Sequence, residues 1–231
     1  MFKRHHHQRI AQVLAALDAD LLQQTQCYFA GGTAIVLLLD EYRESLDIDF
    51  LCASQDGYRR LRNLVGDDLG PLLRTPVTHL RPVRADRYGI RTTLSVDGIP
   101  VKLEFVSEGR IPIDADPNPV LAVPTLARHD MFAEKLLANA DRGQDRSTMS
   151  RDIIDLAMMM RGWGPIPQAA WAKAEQAYGA QIKRAFIQSL TLIQDRIYLA
   201  SCLLKMQMDA TLLEEIPDTL GKVDLSGVDR S

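Results

Sequence analysis

The stretch of sequence that decides the fold covers residues 31–50 and reads GGTAIVLLLDEYRESLDIDF. It begins with a glycine pair, continues through an apolar run of helical length, and ends on an alternating segment that carries Asp47 and Asp49. Side chains of a strand alternate between its two faces, so both carboxylates would lie on the same face. The stretch therefore predicts a strand with two parallel acids, reached from a glycine turn through one short helix.

The paired aspartates indicate a cation site. Two parallel carboxylates repel each other unless a cation lies between them, and Mg²⁺ binds to one or two carboxylates together with substrate phosphates. We therefore expect Asp47 and Asp49 to bind Mg²⁺. The alternative is a solvated strand edge, although the apolar residues Leu46, Ile48 and Phe50 favour a strand with a buried back.

A third carboxylate, Glu104, lies on the predicted strand 99–106. If this strand neighbours the aspartate strand, three carboxylates would hold two metal ions and direct an in-line displacement at phosphorus. The ions would be Mg²⁺, with Mn²⁺ as an alternative, and Glu104 would also help to deprotonate an attacking hydroxyl. The alternative is a glutamate at the rim, paired with Lys102 or Arg91.

Gly31, Gly32 and Thr33 lie where a predicted strand ends and a helix begins. Glycine lets the backbone come close to a ligand, and the N–H groups and partial positive charge of a helix N-terminus attract phosphate. Thr33 adds a hydroxyl donor. We expect these residues to bind phosphate, although a tight turn without a ligand explains them equally well.

The composition is that of a folded globular chain. The 231 residues are 46% hydrophobic and 25% charged, with a formal net charge of −3. These values exclude a chain disordered as a whole and a uniformly basic nucleic-acid-binding coat. Residues 58–91 nevertheless hold eight arginines against three acids. That segment is either a surface for a phosphate-rich partner or a solvated face paired with acids elsewhere.

The three cysteines, Cys27, Cys52 and Cys202, are far apart and lack CxxC spacing. We therefore expect neither a disulfide framework nor a zinc site, and a reducing cytoplasm is the favoured location. No apolar run reaches the roughly 18 residues that a membrane span needs. No membrane partner is expected, and a monomer is the default for a chain of this size.

Hydrophobic periodicity predicts an α+β first half and an all-α second half. The predicted strands cover 27–30, 46–52, 77–83, 88–96 and 99–106, and the predicted helices cover 9–24, 34–42, 56–65, 125–139, 150–161, 167–177 and 180–206. Thr125 is the expected N-cap of its helix. A proline-punctuated segment at 114–119 predicts a boundary. The expected domains are therefore a mixed sheet flanked by helices in residues 1–120 and a helical domain in residues 121–231.

Residues 31–50 resemble the first motif of the AbiEii/AbiGii nucleotidyltransferase toxins, a family within the DNA polymerase β-like nucleotidyltransferase superfamily. Arg43 and Ser45 match an Arg-x-Ser that precedes the family's acidic pair. The segment MFAEK at 131–135 resembles the family's helical lysine motif, and RDIIDL at 151–156 resembles its Arg-Asp-x-x-Asp-Leu motif. The resemblance covers about residues 25–160.

This resemblance implies a nucleotidyltransferase fold and Mg²⁺-dependent transfer of a nucleoside monophosphate from an NTP to an acceptor hydroxyl. It implies that the glycine turn and Thr33 hold the triphosphate, with Arg43 and Ser45 among the nucleotide-binding residues. Arg43 would contact phosphate or cap the strand. The resemblance also implies a cognate antitoxin as partner.

The helical motifs receive their roles from the same resemblance. Lys135 would reach the phosphates as a point charge on a flexible stem, so a site between the two halves would combine it with the acids of the first half. Asp152 and Asp155 are three residues apart and share a helix face. One of them would orient Lys135 or act on the acceptor hydroxyl. The alternative is that they are helix-surface charges paired with Arg151 or Arg146.

The acceptor is left open by the residues themselves. The arginines of residues 58–91 favour RNA, such as a tRNA 3′ end, over nucleotidylation of a protein or of an aminoglycoside, which would need an acidic cleft. A catalytically silent binding module is the non-enzymatic alternative. The intact acidic pair and glycine turn count against it.

Overall fold

The computed structural model describes residues 2–225, which adopt the predicted α+β fold. One mixed five-stranded sheet has the order β1-β2-β5-β4-β3. Its strands are β1 (Cys27–Ala30), β2 (Ile48–Cys52), β3 (Thr78–Ala85), β4 (Gly89–Val96) and β5 (Ile99–Ser107). β2 and β5 run parallel, and the other neighbouring strands pair antiparallel.

Four α-helices precede or separate the strands in the sequence, and six further α-helices make up the second half of the described chain. Within the described residues the α-helices are α1 (His5–Ala16), α2 (Ala19–Gln24), α3 (Gly31–Leu38), α4 (Gln55–Leu64), α5 (Arg128–Arg142), α6 (Arg151–Trp163), α7 (Gln168–Tyr178), α8 (Gln181–Ile193), α9 (Arg196–Lys205) and α10 (Leu212–Leu220). Among these residues no helix is both long and apolar enough to cross a membrane.

The chain divides into two compact units. The first unit extends to Glu41 and resumes from Ser45 to Arg128, and the second comprises Tyr42–Glu44 and the chain from His129 onward. The first unit contains the sheet, and the second contains helices α5 to α10. The predicted domain limits, 1–120 and 121–231, stay a prediction.

The sheet has one closed and one open face. On the closed face Phe29, Phe50 and Phe105 lie in register on β1, β2 and β5. All three are fully buried, and their ring centroids are 5.6 Å and 4.8 Å apart in succession. Because side chains alternate, Asp49 and Glu104, each one position away from a phenylalanine, project from the opposite face.

The two outer edges of the sheet differ. Beside β1, the Phe29 N–H donates to the Pro124 carbonyl oxygen at 2.8 Å, and the Leu126 N–H donates to the Phe29 carbonyl oxygen at 3.0 Å. The chain segment around Thr125 therefore covers that edge, so Thr125 is not the N-cap that the sequence predicts. At the other edge, β3 pairs within the described residues only with β4 and contains Pro82.

Two long predicted helices are each divided in the structure. The segment 9–24 splits into α1 and α2 at Asp18, whose carboxylate accepts from the Leu21 N–H at 2.9 Å. The segment 180–206 splits into α8 and α9 at Asp195, whose carboxylate accepts from the Ile197 N–H at 3.0 Å. In both cases an aspartate caps a new helix inside a run that keeps its helical periodicity.

The expectation that the cysteines stay unpaired is wrong. Cys27 and Cys52 lie opposite each other in the β1–β2 pairing, with Cα atoms 4.0 Å apart, and form a disulfide. Antiparallel pairing brings together two residues that are 25 positions apart in the sequence, which spacing alone does not reveal. Cys202 is a free, buried thiol.

Candidate active site

Asp49 and Glu104 occupy one register position on neighbouring parallel strands. Asp49 of β2 pairs with Glu104 of β5, so the two carboxylates emerge side by side from the open face. Both residues are half-buried. The neighbours Ile48, Phe50 and Leu103 are fully or almost fully buried on the closed face. A buried back therefore holds two carboxylates at fixed positions toward solvent.

Asp47 lies immediately before β2 and is the most exposed acid of the group. Its Oδ1 is 3.8 Å from the Nζ of Lys102, and both side chains are largely in solvent. A pair of this kind contributes little to stability because water screens it. Asp47 is therefore available to a stronger cation on the same face as Asp49.

Glu104 is engaged by an arginine from the next strand. Arg91 of β4 pairs in register with Glu104, and its Nε donates to the Glu104 Oε1 at 2.6 Å. The same guanidinium is 3.7 Å from Asp86. The sequence leaves open whether Glu104 is a third metal ligand or a rim glutamate paired with Lys102 or Arg91. The structure contains the Arg91–Glu104 ion pair, and the metal-ligand role stays a prediction.

Gly31 directly contacts the aspartate site. Its φ is +73°, a left-handed conformation that strains other residues. A Cβ placed on Gly31 would lie 2.7 Å from the Oδ2 of Asp49 and 3.1 Å from its Cβ. The absence of a side chain at position 31 therefore provides the space that the Asp49 carboxylate occupies.

The glycine pair also forms the first turn of α3. Gly31 and Gly32 are half-exposed, and the first N–H groups of a helix have no partner within it. The turn therefore offers backbone donors and a partial positive charge beside the Asp49 carboxylate.

Thr33 has contacts inside the protein that the sequence did not indicate, and its role in nucleotide binding stays a prediction. The side chain is buried, and its hydroxyl donates to the Asp47 carbonyl oxygen and lies 2.8 Å from the Ser45 hydroxyl. The Ser45 N–H in turn donates to the Nε2 of His7 at 3.1 Å. Thr33 and Ser45 thus fasten the approach to β2 against α3, which sets the position of Asp47.

The second unit contains a buried cluster of charges. The Lys135 Nζ donates to the Asp152 Oδ1 at 2.9 Å and lies 2.6 Å from the Asp155 Oδ2. Arg142, two turns after Lys135 on α5, binds both oxygens of Asp152 at 2.7 Å and 3.0 Å. Only 6% of the Lys135 side chain is exposed, so its charge is balanced inside the unit.

Arg43 and Tyr42 complete the cluster from the segment before β2. Arg43 binds Asp155 through two hydrogen bonds, from Nε to Oδ1 at 2.7 Å and from Nη2 to Oδ2 at 2.8 Å. The Tyr42 hydroxyl donates to the Asp155 Oδ1 at 2.6 Å. The sequence did not indicate roles for Tyr42 or Arg142. The seven-residue interval between Lys135 and Arg142 on one helix is the signal that would have found the latter.

The charges of this cluster hold one another in their ionised forms. Burial by itself raises the pKa of Asp152, but Lys135 and Arg142 outweigh it and hold that pKa well below its usual range. Burial likewise opposes ionisation of Asp155, and Arg43 and Lys135 lower its pKa. Burial and the Asp155 charge raise the pKa of Tyr42. The two carboxylates are therefore permanent acceptors at neutral pH.

The comparison with protein families identifies a nucleotidyltransferase. The model of the family described as "Nucleotidyl transferase AbiEii toxin, Type IV TA system" matches residues 12–219. The chain belongs to this family of nucleotidyltransferase toxins, which confirms the fold and the enzyme class expected from the sequence. No match is found among curated proteins.

Solved structures agree on the fold. JHP933 from Helicobacter pylori is 17% identical, with 96% of this chain and 90% of that chain covered and a TM-score of 0.51. A second H. pylori structure, described as that of a nucleotidyltransferase, is 18% identical, with 93% and 90% covered and a TM-score of 0.50. At these identities the likeness concerns the fold alone.

Proposed function

We propose that this toxin transfers a nucleoside monophosphate from an NTP to a hydroxyl of RNA, such as the 3′ end of a tRNA, in a Mg²⁺-dependent reaction. The observation that carries the proposal is the register of Asp49 with Glu104 on the open face, beside the Gly31 turn. Acids that can hold a cation and a turn that can hold phosphate are thereby adjacent.

The donor atoms fit Mg²⁺. Asp47, Asp49 and Glu104 provide carboxylate oxygens, which hard divalent cations prefer, and no sulfur or imidazole is among them. We expect these three residues to hold two ions, with Mn²⁺ able to replace Mg²⁺. When bound, the ions neutralise phosphate charge during an in-line displacement.

The remaining chemistry falls to groups of the chain. The acceptor oxygen forms a bond to the α-phosphorus, and the bond from that phosphorus to the oxygen bridging to the β-phosphate breaks, so that pyrophosphate leaves with the electron pair. Glu104 takes the proton of the acceptor hydroxyl. Arg91, bonded to Glu104, orients that carboxylate. Gly31 and Gly32 hold the triphosphate through backbone N–H groups.

The cluster in the second unit supports the reaction by positioning. Lys135 uses two of its N–H donors on Asp152 and Asp155. Because those carboxylates are fully paired and have lowered pKa values, they are poor proton acceptors. We therefore propose that Lys135, Arg43 and the two aspartates fix the segment Tyr42–Glu44 within the second unit, whereas direct contact of Lys135 or Arg43 with phosphate stays a prediction.

The partners follow from the family and from the charge distribution. The surplus of arginines in residues 58–91 supports a polyanionic acceptor and opposes a cationic one such as an aminoglycoside. The family description names a type IV toxin–antitoxin system, and we propose that a cognate antitoxin protein blocks the activity in the cell.

Labelled nucleotides test the proposal. The purified protein is incubated with Mg²⁺, total RNA and each of the four α-³²P-labelled NTPs in turn. We expect one discrete RNA band to be labelled and labelling to stop when Mg²⁺ is chelated. Label on protein only, or no label with any NTP, would contradict the RNA acceptor or the transferase reaction respectively.

A matched pair of variants tests the acids. Asp49→Asn removes a carboxylate charge from the open face and should abolish labelling. Asp97→Asn removes the same charge from the turn between β4 and β5, where the side chain is 70% exposed, and should leave labelling unchanged. Equal activity of both variants would refute the role of Asp49, provided both melt at the wild-type temperature.

A further inference from the structure

The row of side chains that begins with the carboxylates continues across the open face to the sheet edge. Asp49 pairs with Glu104, Glu104 with Arg91, and Arg91 with Arg84 of β3. Neighbouring strands are about 4.8 Å apart, so Arg84 starts roughly 14 Å from Asp49. The face therefore changes from acidic to basic over three strand spacings.

A second row runs parallel to the first. Lys102 of β5 pairs with Thr93 of β4, and Thr93 pairs with Arg81 of β3. Lys102 and Arg81 are exposed and Thr93 is half-buried. A register shift between Arg81 and Arg84 places an extra residue on β3, so that both arginines, although three positions apart, project from the same face, one in each row.

Arg81 and Arg84 carry charge that is available to an outside partner. Among the residues that the structure describes, neither Arg81 nor Arg84 has a carboxylate within ion-pair distance, whereas Arg59 pairs with Asp56 and Arg74 with Asp18. Like charges directly opposite each other on adjacent strands destabilise a sheet, and Arg84 lies opposite Arg91. Because Glu104 and Asp86 already pair with Arg91, Arg84 is the cation of the two that a bound anion would neutralise.

The turn at the end of the first row presents an aromatic ring. Tyr88 is 60% exposed, and the Arg87 guanidinium lies over its ring, 4.5 Å from the centroid. Asp86 holds the turn by accepting from the Tyr88 N–H at 2.7 Å, and its carbonyl oxygen accepts from the Tyr58 hydroxyl at 2.7 Å. A large ring is therefore held in solvent in the turn that joins β3, which carries Arg84, to β4, which carries Arg91.

We propose that the open face of β3 and β4 binds the single-stranded 3′ segment of the RNA acceptor, with phosphates on Arg81 and Arg84 and a base stacked on Tyr88. The inference rests on the proposed function and adds the surface that guides the acceptor to Glu104. Cations that follow a backbone together with an exposed aromatic ring are the pattern of single-strand binding. An acidic protein segment could form ion pairs with the arginines, but its carboxylates would not stack on the Tyr88 ring as a base does.

The binding test uses a charge-matched control. Anisotropy of a 5′-fluorescein-labelled 12-nucleotide single-stranded RNA is measured without NTP. Arg81→Gln/Arg84→Gln should weaken binding at least tenfold and reduce the slope of log affinity against log salt by about 1.4, the share of two contacts at about 0.7 each. Arg184→Gln/Lys205→Gln removes the same charge from exposed positions of α8 and α9, outside residues 58–91, and should change affinity less than twofold. Equal losses in both variants would overturn the proposal.

The ring is tested by comparing two probes. Tyr88→Ala should weaken binding of the single strand by about tenfold, since stacking on one aromatic ring is worth that much or more. Binding of a blunt duplex with the same number of phosphates should stay within twofold. Equal losses on both probes would remove stacking from the proposal, and an acidic peptide that competes as well as RNA would replace RNA by a protein acceptor.

Failure of this inference is distinguishable from failure of the proposed function. If wild-type protein labels RNA and the Arg81→Gln/Arg84→Gln variant keeps its RNA KM, the surface is wrong and the reaction stands. If the open face of β3 and β4 binds RNA but the protein consumes no NTP when RNA is present, the proposed transfer reaction is wrong. The surface is then an RNA-binding face only. In the expected outcome the variant raises the KM for RNA at least tenfold and leaves the KM for NTP unchanged.

Discussion

Arg43 holds Asp155 through two parallel hydrogen bonds of 2.7 Å and 2.8 Å, although 112 positions separate them in the sequence. The Asp155 carboxylate also accepts from the Tyr42 hydroxyl and lies 2.6 Å from the Lys135 Nζ. Bidentate pairs of this kind add directional specificity to charge. The short segment Tyr42–Glu44 is therefore tied into the helical unit by one aspartate.

Asp155→Asn should strongly destabilise the protein. The change leaves the buried cations of Arg43 and Lys135 facing one neutral amide, and breaking a buried ion pair costs about 3–5 kcal/mol. Urea unfolding followed by circular dichroism measures the loss. Asp145→Asn is the control in the same unit. The exposed Asp145 carboxylate accepts from the Ser147 N–H at 2.9 Å at the start of the 3-10 turn Arg146–Thr148. Asparagine caps such a turn as well as aspartate does, so the change in stability should be less than about 0.5 kcal/mol. A similar small effect of Asp155→Asn would show that the pair is not structural.

The same carboxylates predict sensitivity to acid. Asp152 and Asp155 have lowered pKa values in the folded protein because Lys135, Arg142 and Arg43 surround them, whereas an unfolded aspartate titrates at about 3.9. Their contribution to stability is complete above that value and is lost as pH falls toward the folded pKa. The contribution of these two carboxylates to the free energy of unfolding should thus stay constant from pH 7 to 5 and decrease below about pH 4. A matching titration of the Asp155→Asn variant should show a shallower fall.

Gly31→Ala tests the contact with Asp49. The substitution places a Cβ 2.7 Å from the Asp49 Oδ2 in a backbone conformation with φ +73°. We expect transfer to drop by about 100-fold, the effect of misplacing a catalytic group by roughly 1 Å. Gly98→Ala is the matched control, because Gly98 has φ +77° and no atom within 4 Å of its added Cβ. It should lower stability by about 1 kcal/mol and leave transfer unchanged, so equal loss of transfer in both variants would mean that backbone strain is the cause.

Thiol reagents should destabilise the first unit. The Cys27–Cys52 bond closes a loop of 25 positions, and such a cross-link is worth about 3 kcal/mol. Reduction with TCEP should lower the free energy of unfolding of the wild-type protein and have no effect on Cys27→Ala/Cys52→Ala. Cys202→Ala should respond to TCEP as the wild type does. A wild-type protein indifferent to TCEP would show that the two thiols stay unpaired.

Local sequence determined the elements that carry the site. The alternation around Asp47 and Asp49 and the Asp97–Gly98 turn predicted three strands correctly, because period and turn chemistry act within a few residues. The adjacency of Glu104 to Asp49 followed once those strands were neighbours in the sheet. The fold class followed from hydrophobic periodicity along the whole chain together with the family resemblance.

The sequence did not predict features that depend on alternative local hydrogen bonds or on residues far away in the chain. Asp18 and Asp195 cap new helices inside continuous apolar periodicity, and each reads equally well as an exposed polar position of one long helix. The sequence does not show a partner for the Thr33 hydroxyl, which the structure finds bonded to the Asp47 carbonyl oxygen. Long-range pairs such as Arg43–Asp155 and Cys27–Cys52 have no local signature.

The unequal edges of the sheet have a consequence for assembly. Exposed strand edges invite pairing with other chains unless charge or proline prevents it. One edge is closed by hydrogen bonds of Phe29 to Pro124 and Leu126, and the other displays Arg81, Pro82 and Arg84. Both edges of the sheet are therefore protected against pairing with a further strand. At β3 this protection comes in part from the arginines that we assign to RNA binding. A bound polyanion would neutralise these arginines and so remove the charge that prevents another strand from pairing with β3. The acceptor must therefore also cover the edge of β3 if the bound toxin is to stay free of aggregation.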